Sequence, residues 1–303
     1  HRLQLRQSVA DFARRDGAIA VTREALTSEN GFSRTRWATM AGLGWAALMV
    51  PEAFDGLGLE HGDLVALHHE IGRAMLPEPL VPLLMTTLVL SAGENKRLSQ
   101  SLLSDLMNGE RLATLAWQGG RGGLGQNAVG PIAESVGNNW RLSGAAEFVP
   151  IARAASGAVV AARSQGGVLL GWLDAPLRLV DTVTLADGST QSTIDLEGVT
   201  IPGDAIIASP ESGGAILDQT LDTSRLAIAA QLLGVTERAF EMTVEHLKQR
   251  VQFGQPLAAF QALQHRAVTL YVNVEMARSA LLRAAAASDG DEPEERAAQV
   301  SAA

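Results

Sequence analysis

Three groups of residues in this 303-residue chain have types and spacings that could do chemistry. Gly120, Gly122 and Gly125 spell G-x-G-x-x-G straight after the apolar run LATLAW. In a dinucleotide-binding turn such glycines open a helix whose first N–H groups face a pyrophosphate. His61, His68, His69 and Glu70 bring together residue types that ligate metals. Arg250-Val-Gln-Phe-Gly254 sets a planar guanidinium and an aromatic face within five residues, suited to phosphate oxygens and a flat ring.

Each has a plainer reading. After the glycines come QNAVGPIAESVGNNW, where Gly130, Pro131 and Gly137-Asn138-Asn139 stop any helix of useful length. The glycines therefore read as a loop between antiparallel strands. A helical metal site needs ligands one turn apart, whereas the adjacent residues of HHE point in different directions. Those histidines are expected to be solvated or at an interface, with Asp63 as a helix N-cap. For 250–254 two readings stand level: a ligand-contacting element, or an ordinary helix–helix turn with Phe253 packed inward and Arg250 solvated. No nucleophile elbow and no P-loop occur, so hydrolase and kinase chemistry has no support.

Composition narrows the field. The formal charge of −9, with no Lys/Arg cluster, argues against nucleic-acid binding. The absence of cysteine excludes disulfides, thiolate metal sites and cysteine nucleophiles, so any redox chemistry needs a cofactor. Apolar stretches such as PLVPLLMTTLVL fall short of the ~20 residues that span a bilayer, and no signal-peptide pattern precedes them. A cytoplasmic protein without a membrane span is expected. The chain starts at His1 and ends on AAQVSAA, so further residues are expected at both ends.

The elements fall into three segments. Residues 1–111 carry helical spacing, with Ser33 before RTRWATMAGLG, Pro82 in a first turn and Asn108-Gly109 as a stop. Residues 112–210 switch to short runs of period two, with hairpin signals at Gly137-Asn138-Asn139, Gln165-Gly166-Gly167 and Ala186-Asp187-Gly188. Residues 211–303 return to helix as an antiparallel pair broken at VQFGQP, then a loop from Ser288 and the start of a third helix. The expected fold is α+β: an N-terminal helical domain, a central antiparallel β-barrel or sandwich, and a C-terminal, incomplete helical bundle.

RVQFGQPLAAFQALQHRAVTLYVNVEMARSALLRAAA resembles the acyl-CoA dehydrogenase pattern of Arg-x-x-Phe-Gly, then Phe-Gln and a long Ala-rich helix. LDTSRLAIAAQLLGVTERAFEMTVEHLKQR is similar to that family's preceding helix, and GLGWAALMVPEAFDGLGLEHGDLVALHHEIGRAM to its N-terminal pattern. EIGRAMLPEPLVP resembles a bacterial branch whose members often take steroid or other unusual acyl-CoAs and often pair as heteromers. The resemblance implies an FAD enzyme that removes an α-proton with a carboxylate and passes a β-hydride to flavin, giving a 2-enoyl-CoA. It implies an acyl-CoA substrate, an electron-transfer flavoprotein or similar acceptor, and a homo- or heterotetramer.

Residue by residue, it implies that Arg250, Gln252, Phe253 and Gln261 contact FAD, through an arm that in the family reaches a neighbouring subunit's flavin. Phe148 and Val149 correspond to the segment beside the flavin ring, and Asp222 and Arg225 to the acyl-CoA pocket. The chain also departs from the pattern. The family's Thr-Glu-Pro-x-x-Gly-Ser-Asp flavin loop is replaced by Trp117-Gln-Gly-Gly-Arg-Gly-Gly-Leu-Gly125, without hydroxyl or acid, and a Thr donor by Pro150. The commonest catalytic Glu falls beyond Ala303, and the position of an alternative one is Ser224. No base is assigned, and a catalytically inactive partner subunit of the same fold stands as the alternative.

Overall fold

The computed structural model describes residues 1–303 apart from Gly17, Leu26, Arg121, Gly122, Leu124, Asp291 and Glu292. Its helices before the sheets are α1 (Arg2–Asp16), α2 (Ala18–Ala25), α3 (Arg34–Gly42), α4 (His61–Ala74), α5 (Leu80–Ala92) and α6 (Lys96–Met107). The strands are β1 (Ala113–Ala116), β2 (Ile132–Val136), β3 (Asn139–Ser143), β4 (Ala145–Pro150), β5 (Gly157–Ser164), β6 (Gly167–Asp174), β7 (Leu179–Thr184), β8 (Thr190–Asp195), β9 (Thr200–Ile201) and β10 (Ile206–Ala208). α7 (Pro210–Gln249) follows, then the small hairpin of β11 (Val251–Gln252) and β12 (Gln255–Pro256), then α8 (Gln261–Ser288) and α9 (Pro293–Ala302). Helices, mostly antiparallel sheet, then helices is the expected class.

Local chemistry sets the boundaries. Ser33 Oγ accepts the Arg36 N–H to start α3, and Asn95 Oδ1 accepts the Leu98 N–H to start α6. The Asn95 amide also donates to the Asp204 and Ile206 carbonyls, which ties that cap to β10. Glu94 accepts from the Ser209 N–H and from Ser212 Oγ beside the start of α7. The Ser212 hydroxyl, then the Ser209 N–H, hold its carboxyl below the usual carboxylate range. Asp63 is not the N-cap of α4: the helix begins two residues earlier, with Glu60 at the cap. Asp63 lies in the first turn, where the helix dipole favours an anion, 3.6 Å from Arg2 Nε.

The chain groups into two compact units. Residues 20–59 and 77–224 form one, and 1–19, 60–76 and 225–303 the other. In the first, the larger sheet runs β10-β6-β5-β2-β3-β9, with β1 also on β5, and the smaller runs β4-β8-β7. All three expected hairpins are present: Val136 faces Asn139, Ser164 faces Gly167 and Thr184 faces Thr190. Ala116, Ala133, Leu142, Val160, Leu169 and Ile194 are buried in this unit's core.

One pairing differs from the sequence reading. β1 and β2 both run parallel to β5, with 113–116 opposite 157–160 and Ile132 opposite Arg163. The glycine loop is thus not a turn between antiparallel strands. It is an excursion between two strands of one direction, pinched at its base where Gln118 bridges Val129.

In the second unit α7 and α8 are antiparallel, with the Phe240 and Tyr271 rings 6.2 Å apart. Leu226, Ala230 and Leu233 of α7 form a core with Val274, Leu281 and Ala284 of α8 and Val65 of α4. Two glycines let α4 and α7 cross with backbones in contact. A Cβ on Gly72 would collide with the Gln231 carbonyl, and one on Gly234 with the His69 carbonyl.

Candidate functional site: an exposed arm, a bulged strand and a glycine loop

Arg250, Gln252, Phe253 and Gln261 all lie on the β11–β12 hairpin or the helix start behind it. Phe253 and Gly254 have φ of 53° and 80°, so two successive left-handed residues make the tight two-residue turn. A left-handed Phe is disfavoured by roughly 1–2 kcal/mol, a cost the surrounding hairpin must offset. The Leu257 N–H donates to the Arg250 carbonyl at 2.8 Å and closes the base. Phe253 does not pack inward: it is 89 % exposed, with the Phe260 ring edge-on at 6.2 Å and 89°. Among the described residues the Arg250 guanidinium enters no ion pair, and Arg250, Gln252 and Gln261 are all exposed. The plain helix-turn reading fails for the aromatic residue.

Phe148 and Val149 lie on β4, where the pairing with β8 slips between Ala146 and Val149. The slip is a bulge with Phe148 at φ 56°, and it turns that ring outward to 48 % exposure. Val149 is in the core, so only its backbone can meet a ligand. Pro150 offers no N–H, and its carbonyl already accepts the Thr114 hydroxyl at 2.7 Å.

Asp222 and Arg225 lie one helical turn apart on α7, Asp222 buried and Arg225 half-buried. Ser224 beside them is buried and donates to the Thr220 carbonyl of its own helix at 2.7 Å. Gly122 lies outside the described residues. Gly125 has φ 74° and precedes a single 3-10 turn, Gln126–Ala128, rather than a helix. No dinucleotide-type helix start follows these glycines.

The histidine reading needs correction. His68 and His69 are buried, because the close crossing at Gly72 and Gly234 brings α7 over them. His68 Nδ1 accepts from the Gln231 amide at 2.9 Å. His69 Nε2 lies 2.9 Å from Glu237, and its Nδ1 3.2 Å from Glu70. His61 alone is at a more open place, 2.7 Å from Asp289. Among the described residues no group of three or more His, Asp or Glu could hold a metal ion. Gln231 and Glu237, which face His68 and His69, are more than 160 residues away along the chain, and no local pattern announces them.

Burial lowers the His68 pKa to about 4. An unfolded His titrates near 6.5, so the unfolded chain binds the extra proton first as pH falls. The stabilisation is complete above pH 6.5 and is lost between 6.5 and about 4. Denaturant titrations at pH 7 and pH 5 are expected to differ by about 2 kcal/mol from this residue. His68→Leu should remove that part of the pH dependence; an unaltered difference would show that His68 does not carry it.

Known proteins share this layout. Residues 1–110 match the acyl-CoA dehydrogenase N-terminal domain and residues 211–303 its C-terminal domain. Acyl-CoA dehydrogenase IpdE2 of Mycobacterium tuberculosis is 30% identical over 285 residues, 92% of this chain and 73% of the relative. The human mitochondrial short-chain specific acyl-CoA dehydrogenase is 27% identical over 303 residues, 95% of this chain and 73% of that one. Among solved structures, the Tcur3481-Tcur3483 steroid ACAD G363A variant superposes with a TM-score of 0.84 at 30% identity, covering 99% of this chain and 82% of that one. The match to these relatives runs along nearly the whole length of the chain, and the chain belongs to the acyl-CoA dehydrogenase family.

Proposed function

We propose that the chain is a subunit of an FAD-dependent acyl-CoA dehydrogenase and that its 250–261 arm contacts FAD held with a neighbouring, related subunit. The carrying observation is the arm itself. A Phe at 89 % exposure beside an Arg with no ion pair among the described residues is an apolar face and a phosphate fork left open. Arg250 and Gln261 would meet the pyrophosphate and adenosine side, with Gln252 beside them and Phe253 packed on the nucleotide. Phe148 and the Val149 backbone would border the flavin ring, and Asp222 and Arg225 the acyl-CoA. Bound FAD supplies the two-electron acceptor that a cysteine-free chain lacks.

An assembly is supported by apolar stripes. Ile228, Leu232, Val235 and Met242 are exposed at helical spacing on α7, and Val268, Val272 and Met276 on α8. The reaction is α,β-dehydrogenation of an acyl-CoA, with electrons passing to an electron-transfer flavoprotein or similar carrier. A steroid-derived acyl group is favoured by the 30% identical steroid relative. A second reading, a partner without catalysis of its own, is favoured by Ser224 and Pro150 at two functional positions. Among the described residues no helix is long and apolar enough to cross a membrane, consistent with work on a water-soluble CoA thioester.

Arg250→Ala is expected to weaken flavin retention by the purified assembly at least about ten-fold, with Arg250→Lys intermediate because it lacks the fork. Flavin absorbance per subunit reads the result. Full occupancy in the Ala variant would refute the arm's role.

A further inference from the structure

β2 and β5 run parallel, yet they pair only at Ile132 and Arg163. Beyond that point β2 turns into β3 through Gly137-Asn138, while β5 turns into β6 through Gln165-Gly166. The two hairpins part, and a cleft of about 670 Å³ opens between them. That volume is within the range of small-molecule sites. Side-chain alternation assigns the walls. Ile132 and Glu134 share one face of β2, and Arg163 joins that face through its pairing with Ile132. Ser135 and its cross-strand partner Trp140 line the cleft from the opposite face, as does Ser164. The cleft is therefore a slot through the sheet, with a cation and an anion at one mouth and an indole at the other.

The chemistry of the walls selects the ligand. Glu134 and Arg163 are both exposed, and among the described residues neither enters an ion pair. Glu134 lies two residues past the paired Ile132, which sets its Cα roughly 8 Å from that of Arg163. At that spacing the two charges meet different ends of one molecule. Trp140 is only partly buried against the sheet core and leaves aromatic surface in the slot. A flat heterocycle entering there meets the indole, an amino group on its rim donates to Glu134, and an attached phosphate takes the Arg163 fork. A peptide strand suits the place less well, because pairing ends at Ile132 and β2 itself ends at Val136, too short an edge for strand addition.

We propose that the slot between β2 and β5 binds a purine nucleoside monophosphate, with Trp140 against the base, Glu134 on its amino group and Arg163 on the phosphate. None of these residues is among those assigned to FAD or to the acyl-CoA pocket, so the site stands independently of that reading. The same chemistry is offered by a free nucleotide and by the nucleotide end of CoA, and competition between them separates the two sources.

Isothermal titration of the full purified chain with AMP and with GMP tests this, beside adenosine, guanosine and inorganic phosphate as part-ligands. Expected is saturable binding of at least one nucleotide, one per chain and about ten-fold tighter than its nucleoside. Arg163→Gln, at an exposed position, should keep the thermal melt and weaken nucleotide binding about ten-fold while leaving the nucleoside unchanged. Trp140→Phe should weaken nucleotide and nucleoside alike. Arg250→Ala should bind the nucleotide as the wild type does. Displacement of the nucleotide by CoA would assign the site to the CoA end, and its retention to the free nucleotide. The proposal is overturned if neither nucleotide binds saturably, if Arg163→Gln binds as tightly as the wild type, or if binding is lost in Arg250→Ala and kept in Arg163→Gln.

Discussion

Replacing Glu237 with Ala is expected to destabilise the unit built on α4, α7 and α8 by about 3–5 kcal/mol, because it removes the shared anion of a largely buried ionic group. Glu237 Oε2 faces His69 Nε2 at 2.9 Å and Arg73 Nη1 at 3.4 Å, while Oε1 faces Arg278 Nη2 at 3.0 Å. Without the carboxylate, cationic partners from α4 and α8 are left facing each other, with the His69 ring buried between the helices. Glu241 can hold Arg73 through its paired hydrogen bonds, but it lies nearer the surface. The Arg73 hydrogen bond keeps the Glu241 carboxyl below its usual range, so its contribution is present above that range and lost as pH falls through the lowered value. The assignment can be read by unit, since all five Trp (37, 45, 117, 140 and 172) belong to the other one. Loss of helical circular dichroism should precede the change in Trp fluorescence. A shift no larger than that of exposed Glu245→Ala would sink the idea.

What the sequence disclosed follows from the range of the forces involved. Strands at 132–143 and 157–174 were legible because period-two burial and Gly-Asn or Gly-Gly turns act over a few residues. The α7–VQFGQP–α8 break was legible for the same reason, whereas the outward position of Phe253 was not, the sequence leaving it level with inward packing. The parallel run of β1 and β2 on β5 was not, since parallel pairing is decided by contacts distant in sequence. Nor was the outward turn of Phe148, which depends on a bulge against β8. The His68 and His69 surroundings were misread because their partners arrive on a helix that crosses only where glycines allow.

The same distance rule hides a buried ion pair of the sheet-containing unit, which yields the second large effect. Arg36 Nε donates to Glu78 Oε1 at 2.7 Å, with side-chain exposures of 9 % and 0 %. Glu78 sits between Pro77 and Pro79, where the Leu80 N–H bonds its carbonyl at the start of α5. The pair therefore fastens the entry of α5 to α3, across 42 residues of sequence. Glu78→Ala is expected to cost about 3–5 kcal/mol, chiefly from the guanidinium left buried without its anion. Replacing both partners with apolar residues, Arg36→Met with Glu78→Leu, should recover most of that loss, since desolvation of the ions largely cancels their attraction. A double-mutant cycle followed by Trp fluorescence in denaturant measures the coupling, with Trp37 next to Arg36 as one of the reporters. Single and double variants of equal stability would mean that the pair contributes packing alone. A double variant near wild type beside a crippled Glu78→Ala would show the penalty to be the orphaned charge.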